Sequence, residues 1–186
     1  MITRIFSPVC AAPRPVQRSA LSALAQILDA LRVRWVLIGA LAANRYRTSP
    51  RLTHDVDLLL ADAGPSEGAL AAALQAGGWT VRSATAEGDL VRVRHIEFGA
   101  ADLLIAGTDY QQQAIARAHA ETLAGQALRV LTVEDVIIHK LIAGRHQDIA
   151  DIEAIVAGHL PLDETYLARW VGFWDVAATW QTLRPD

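Results

Sequence analysis

Three aspartates stand at the entrances of two short apolar runs and could bind metal ions. Asp55 and Asp57 lead into the run 58–60, and Asp102 precedes the run 103–105. Residues two apart on a strand point to one face, so Asp55 and Asp57 would lie together. Their mutual repulsion favours a divalent cation between them, and carboxylate oxygens suit Mg²⁺ or Mn²⁺. If the two runs are neighbouring strands, three carboxylates meet at one edge, as a two-metal phosphoryl-transfer site needs.

Residues upstream of the aspartates have the chemistry to bind phosphate. Gly39 and Ala40 follow an apolar run and begin a segment that predicts a helix, whose first N–H groups attract anions. Arg51 and Thr53 share one face of an extended segment and offer a guanidinium and a hydroxyl. Lys140, the chain's lone lysine, is a further candidate for a triphosphate. We expect these five residues to bind the phosphate groups of an anionic ligand.

Apolar periodicity predicts a mixed α/β scaffold for these residues. A period of three to four residues indicates a helix over 19–31, and short apolar runs indicate strands over 34–38 and 56–61. We further expect a helix over 65–76, strands over 79–81, 90–98 and 101–105, and helices alone beyond Gly107, over 110–120, 133–143, 149–157, 164–173 and 176–183. The predicted organisation is an N-terminal arm (1–18), an α/β core (19–108) and a C-terminal helical part (109–186).

The helical part leaves two interpretations open for its charged residues. Arg145 and Asp148 form an ordinary local pair if the helix is continuous, although Gly144 could break it. Alternatively, Lys140 or Arg145 reaches the triphosphate from this side. The aromatic residues of the tail, at helical spacing, indicate core packing or a docking face for a partner. The six histidines form no convincing zinc set, and His54 beside Asp55 could touch the site or face solvent.

Composition excludes several classes of protein. With 186 residues, 52% of them hydrophobic and 20% charged, the chain can bury one core and is not disordered. The single cysteine, Cys10, excludes an internal disulfide framework and fits a reducing cytoplasm. No apolar run approaches the roughly 20 residues that cross a bilayer, so we expect no membrane partner. Residues 1–54 are arginine-rich, whereas the remainder is acidic, which argues against a long RNA footprint.

Taken together, these motifs resemble the nucleotidyltransferase superfamily of DNA polymerase β type. Within it, the chain is similar to the small bacterial AbiE-type toxins and minimal nucleotidyltransferases. The matching residues are the turn Gly39-Ala40, the stretch Arg51-Leu52-Thr53-His54-Asp55-Val56-Asp57, the later acid Asp102, and the stretch from Lys140 to Ile152. The resemblance implies a mixed nucleotidyltransferase sheet flanked by helices and followed by a helical part.

The resemblance also implies an activity and its partners. It implies transfer of a nucleoside monophosphate from an NTP to a hydroxyl of an RNA end, a protein or a small molecule such as an aminoglycoside. In that reaction Asp55, Asp57 and Asp102 hold Mg²⁺ or Mn²⁺, and Asp102 assists deprotonation of the acceptor. A toxin role would bring a cognate antitoxin or a second copy of the chain as partner. Ala40 departs from the usual Ser or Gly, so a catalytically silent module that binds a nucleotide or a protein is the alternative.

Overall fold

A computed structural model describes residues 15–53, 55–61, 67–86, 88–123 and 126–184. Residues 1–14 of the predicted arm and His54 lie outside this range. The helices are α1 (Pro15–Ala30), α2 (Gly39–Ala43), α3 (Glu67–Ala76), α4 (Asp109–Arg117), α5 (Val133–Ala143), α6 (His146–Val156), α7 (Glu164–Phe173) and α8 (Ala177–Leu183). The strands are β1 (Trp35–Leu37), β2 (Val56–Leu60), β3 (Thr80–Ala84), β4 (Leu90–His95), β5 (Gly99–Ile105), β6 (His119–Leu123) and β7 (Gln126–Val130).

One seven-stranded mixed sheet organises the molecule, in the order β3-β4-β5-β2-β1-β7-β6. The central strand β2 runs parallel to β5 and antiparallel to β1, while β1 runs parallel to β7. Leu58, Leu59 and Leu60 of β2 are fully buried, because strands on both sides and helices on the faces cover them. The predicted fold class, a mixed nucleotidyltransferase-type sheet flanked by helices, is confirmed.

The helices form two groups around the sheet. Helices α1 and α3 contact each other, and α1 packs on β2 and β5 through an apolar stripe that includes Leu21, Leu24 and Leu28. In the second group, α5 contacts α6 and α7, and α8 contacts α6 and α7. Helix α2 joins this group to the sheet because it contacts β2, α5 and α6. The C-terminal helices therefore stand beside the N-terminal entrance of β2.

The expectation of helices alone beyond Gly107 is wrong for residues 119–123 and 126–130. Helix α4 ends at Arg117, and β6 and β7 follow as an antiparallel pair. In β7, buried Leu128 and Val130 alternate with exposed Ala127 and Arg129, a period of two that indicates a strand. This signal spans too few residues to stand out, and pairing with the buried strand β1 decides the conformation.

Helix ends follow local chemistry. Helix α1 begins at Pro15, four residues before the expected start, since proline is well tolerated in the first turn. The side chain of Thr132 caps α5 by accepting from the N–H of Asp135. Gly144 ends α5 with a φ of 62°, so α5 and α6 are separate helices.

Among the described residues, no helix is both long and apolar enough to cross a membrane.

Candidate active site

The parallel pairing of β2 with β5 brings the predicted acids together. Asp57 is the register partner of Asp102, so the two side chains project from the same face of adjacent strands. Asp55 lies just before β2, and all three aspartates line one cleft of about 970 Å³. Burial raises the pKa of Asp57 to about 6, and repulsion from Asp102 and Asp55 adds to the effect.

The glycine turn between β1 and α2 is built around Asp57. Gly39 has a φ of 64°, a left-handed backbone conformation that residues other than glycine rarely adopt. A Cβ at this position would lie 2.5 Å from the carboxyl carbon of Asp57 and would overlap its carboxylate. The backbone N–H of Ala40 donates a hydrogen bond to the same carboxylate, which lowers the pKa of Asp57 against the larger effect of burial. The turn and the acid therefore fix each other's position.

The donor chemistry of the cleft suits a hard divalent cation. The carboxylates of Asp55 and Asp102 repel that of Asp57, and a cation would remove the repulsion that contributes to the raised pKa of Asp57. Asp102 pairs with Arg92 of β4, whose Nε lies 3.3 Å from its Oδ2. As they stand, no three His, Cys, Asp or Glu residues in the described ranges are grouped closely enough to hold an ion. That Asp55, Asp57 and Asp102 share a metal therefore stays a prediction.

An ionic cluster with a buried centre contributes four residues to the lining of the same cleft: Arg51, Lys140, Arg145 and Asp148. Its centre is Lys140, whose Nζ lies 2.9 Å from Asp148 Oδ1 and 2.6 Å from Asp151 Oδ2. Asp151 is fully buried and also accepts from Arg47 and Arg51, and Asp148 accepts from Arg145 at 2.6 Å. We call these six residues the ionic cluster: Arg47, Arg51, Lys140, Arg145, Asp148 and Asp151.

The ionic cluster carries more positive than negative charge. It contains four cations and two carboxylates, formally +2. Burial raises the pKa of Asp151, but hydrogen bonds from Arg51 and Lys140 outweigh it, so this pKa lies below its usual value. Arg145 pairs with Asp148 three residues on, at the start of α6, so the local pair forms although the helix is not continuous through Gly144. Excess positive charge at the wall of a cleft favours an anionic ligand.

All eight predicted site residues line the same cleft: Gly39, Ala40, Arg51, Thr53, Asp55, Asp57, Asp102 and Lys140. Arg51 and Lys140 reach it while bonded to Asp151. Their roles in binding a nucleotide remain predictions.

Sequence reasoning missed several residues around the cleft. Arg92 reaches it because β4 pairs with β5, opposite Asp102, and Trp174 reaches it from the end of α7. His139 lines it from α5, one residue before Lys140. Asn44, after α2, bonds the main chain of Arg51. Strand pairing and helix packing place these side chains, and neither leaves a local signal in the sequence.

Solved structures of nucleotidyltransferases share this fold. The antibiotic-resistance factor ANT(2")-Ia, in complex with adenylyl-2"-tobramycin, aligns with a TM-score of 0.59 and 18% identity over 87% of this chain and 98% of that one. An antigenic nucleotidyltransferase-like protein from Paracoccidioides brasiliensis aligns with a TM-score of 0.56 and 18% identity, covering 93% and 95% of the two chains. The lincosamide antibiotic adenylyltransferase LnuA, in a lincomycin-bound structure, gives 0.53 and 15% over 74% and 96%. The fold is therefore that of a nucleotidyltransferase.

The sequence match is more specific than the structural one. Residues 22–176 match the family model described as "Nucleotidyl transferase AbiEii toxin, Type IV TA system". This span is most of the chain, and the protein belongs to that family, as its motifs suggested. None of the curated proteins matches the chain at a significant level.

Proposed function

We propose that the protein is a divalent-cation-dependent nucleotidyltransferase that moves a nucleoside monophosphate from an NTP to an acceptor hydroxyl and releases pyrophosphate. The observation that carries the proposal is the pairing of Asp57 with Asp102 on adjacent parallel strands, with Asp55 in the same cleft. Family membership supports the reaction class. The net positive ionic cluster supports a ligand as negatively charged as a triphosphate.

The three aspartates have separate duties in this proposal. Asp55 and Asp57 would hold a cation, Mg²⁺ or Mn²⁺, on the nucleotide side, and Asp102 would join them on the acceptor side. A bound divalent cation would neutralise phosphate charge and polarise the phosphorus centre under attack. Asp102 is partly exposed in the cleft and would accept the proton of the attacking hydroxyl.

The phosphates would be bound by cations of the ionic cluster. Arg51 has five N–H donors, and three of them serve Asp151 and the carbonyl of Leu52. Lys140 has three, of which two point to Asp148 and Asp151. Within the part of the chain that the structure describes, this leaves two donors on Arg51 and one on Lys140 for a ligand. Gly39, Ala40 and Thr53 remain proposed phosphate contacts from the cleft floor.

The acceptor and the biological role follow from the family as proposals. The family description names a toxin of a type IV toxin–antitoxin system, so we propose a cytoplasmic toxin with a cognate antitoxin. The acceptor hydroxyl would belong to an RNA end, a protein or a small molecule. The tobramycin adduct and the lincosamide named for the similar structures support a small molecule as one such acceptor.

One observation favours a second candidate, a silent nucleotide-binding or protein-binding module. The Ala40 N–H, a predicted phosphate donor, is bonded to Asp57, and Ala40 provides no hydroxyl to replace it. Such a module would bind NTP but release no pyrophosphate.

The two candidates are separated by pyrophosphate release from each NTP with Mg²⁺ or Mn²⁺ and a panel of acceptors. We expect release by the wild type, none by Asp57→Asn, and wild-type release by Asp175→Asn, an exposed aspartate that does not line the cleft. Circular dichroism confirms that each variant is folded. Equal release by wild type and Asp57→Asn would refute the catalytic role. An inert wild type that still binds NTP would establish the module instead.

A further inference from the structure

The loop that carries Arg51 is fixed by a side chain with no assigned role. Asn44 is the first residue after α2, and its carboxamide faces the main chain of Arg51, seven positions later. Its Nδ2 donates to the Arg51 carbonyl at 2.8 Å, and its Oδ1 accepts from the Arg51 N–H at 3.0 Å. One side chain thus satisfies both backbone groups of a loop residue, as a partner strand would.

The other end of Arg51 is fixed by the ionic cluster. Asp151 accepts from Arg51 Nε at 2.8 Å and from Nη2 at 3.0 Å, a two-point pair between a guanidinium and a buried carboxylate. Such a pair determines the plane of the guanidinium as well as its position. Asn44 and Asp151 therefore hold the main chain and the side-chain head of one residue.

This double attachment decides where the unused donors of Arg51 point. Counting partners among the described residues, the bonds to Asp151 and Leu52 leave two of its five N–H groups for a ligand, and Arg51 lines the cleft. If the main chain moved, the bonds to Asp151 could be kept only by changing the side-chain rotamers, and the two free donors would turn. Four residues later the same segment reaches Asp55, so its path also determines where that acid enters the cleft.

We propose that Asn44 is a positioning residue for nucleotide binding, which acts through Arg51 by fixing its main chain. The proposal rests on the proposed function in one respect, that Arg51 contacts the phosphates of the NTP. Asn44 itself is not among the residues that line the cleft. Its loss should weaken phosphate binding only while Arg51 is present.

A double-mutant cycle tests this dependence. The probe is inorganic tripolyphosphate in magnesium buffer, and isothermal titration calorimetry gives its Kd for the wild type, Asn44→Ala, Arg51→Met and the double variant. We expect Asn44→Ala to raise the Kd about tenfold, equivalent to about 1.4 kcal/mol. In the Arg51→Met background the same substitution should change the Kd by less than about twofold, because the group that it positions is gone.

Two further variants make the result specific. Ser22→Ala removes another partly buried side-chain bond, to Gln126, away from the cleft, and should leave the Kd unchanged. Asn44→Asp keeps the acceptor for the Arg51 N–H and loses the donor to its carbonyl, so its Kd should fall between those of the wild type and Asn44→Ala. It also serves as the test variant if Asn44→Ala does not fold.

The possible failures are distinguishable. Equal losses from Asn44→Ala with and without Arg51 would overturn the inference, because Asn44 would then act on the fold in general. An Arg51→Met variant that binds tripolyphosphate like the wild type would overturn it as well, together with the proposed phosphate contact of Arg51. Because the readout is binding, a wild type that binds but transfers nothing would refute the proposed catalysis and leave the role of Asn44 standing.

Discussion

Substituting Gly39 by alanine should cost more stability than its backbone conformation alone explains. A left-handed residue with a Cβ costs about 1 kcal/mol. The new Cβ would also overlap the carboxylate of Asp57, force it from its rotamer at about 1 kcal/mol and break its bond with the Ala40 N–H at about 1 kcal/mol. We therefore expect Gly39→Ala to lower the free energy of unfolding by about 3 kcal/mol and to abolish pyrophosphate release.

Two other glycines separate these contributions. Gly144 has nearly the same φ, 62°, but a Cβ there would have its nearest neighbour, the Leu141 carbonyl oxygen, at 3.6 Å, an ordinary contact. Gly144→Ala should therefore cost only the backbone term, about 1 kcal/mol. Gly68 lies in α3 with open space around it, and Gly68→Ala should stabilise by about 0.5–1 kcal/mol through helix propensity.

The measurement is urea unfolding followed by circular dichroism, with thermal melting as a second observable. For a chain of this length each kcal/mol shifts Tm by about 2–4 °C. From the most to the least stable protein, the expected order is Gly68→Ala, wild type, Gly144→Ala, Gly39→Ala. If Gly39→Ala and Gly144→Ala are equally stable, or if Gly39→Ala retains activity, the mutual fixing of the turn and Asp57 is wrong.

The remaining predictions concern one histidine, one buried carboxylate and one exposed ion pair. Burial lowers the pKa of His139 to about 4, from 6.5 in the unfolded chain, so the unfolded state binds more protons between these pH values. The free energy of unfolding should therefore fall by up to about 3 kcal/mol as the pH drops from 6.5 to 4. In urea titrations at several pH values, His139→Phe should flatten that slope. Asp151→Asn leaves three cations without their shared carboxylate and should cost about 3–5 kcal/mol by urea unfolding. Arg184→Ala, which removes an exposed pair with Glu164, should cost less than about 1 kcal/mol, and equal losses would contradict the importance of burial.

The sequence was most informative where chemistry and local pattern coincide. Asp57 and Asp102 each precede a run of aliphatic residues, and the convergence of the acids was made conditional on these runs being neighbouring strands, a condition that the pairing of β2 with β5 meets. The turn at Gly39 could be predicted equally well, since an apolar run, a glycine and small helix-forming residues follow one another directly in the sequence. In these cases the residues that determine the structure are close together in the chain.

Features that depend on distant partners were not readable. Strand β7 was missed because its conformation depends on pairing with β1, more than 90 residues earlier. The burial of Asp151 was hidden for the same reason, as Arg47 and Arg51 approach it from about 100 positions away. The sequence gives the residue types, but only packing shows that this acid is shared by three cations.

The position of β1 between β2 and β7 has a consequence for synthesis on the ribosome. Until residue 130 has been made, one edge of β1 has no partner strand for its backbone hydrogen bonds. Strands β2 and β5, by contrast, have been synthesised 25 or more residues before that point. A nascent chain or fragment that stops at residue 118 would expose this apolar edge to other chains. Cotranslational assembly of the sheet should therefore finish late, and chaperones should engage the chain during that interval.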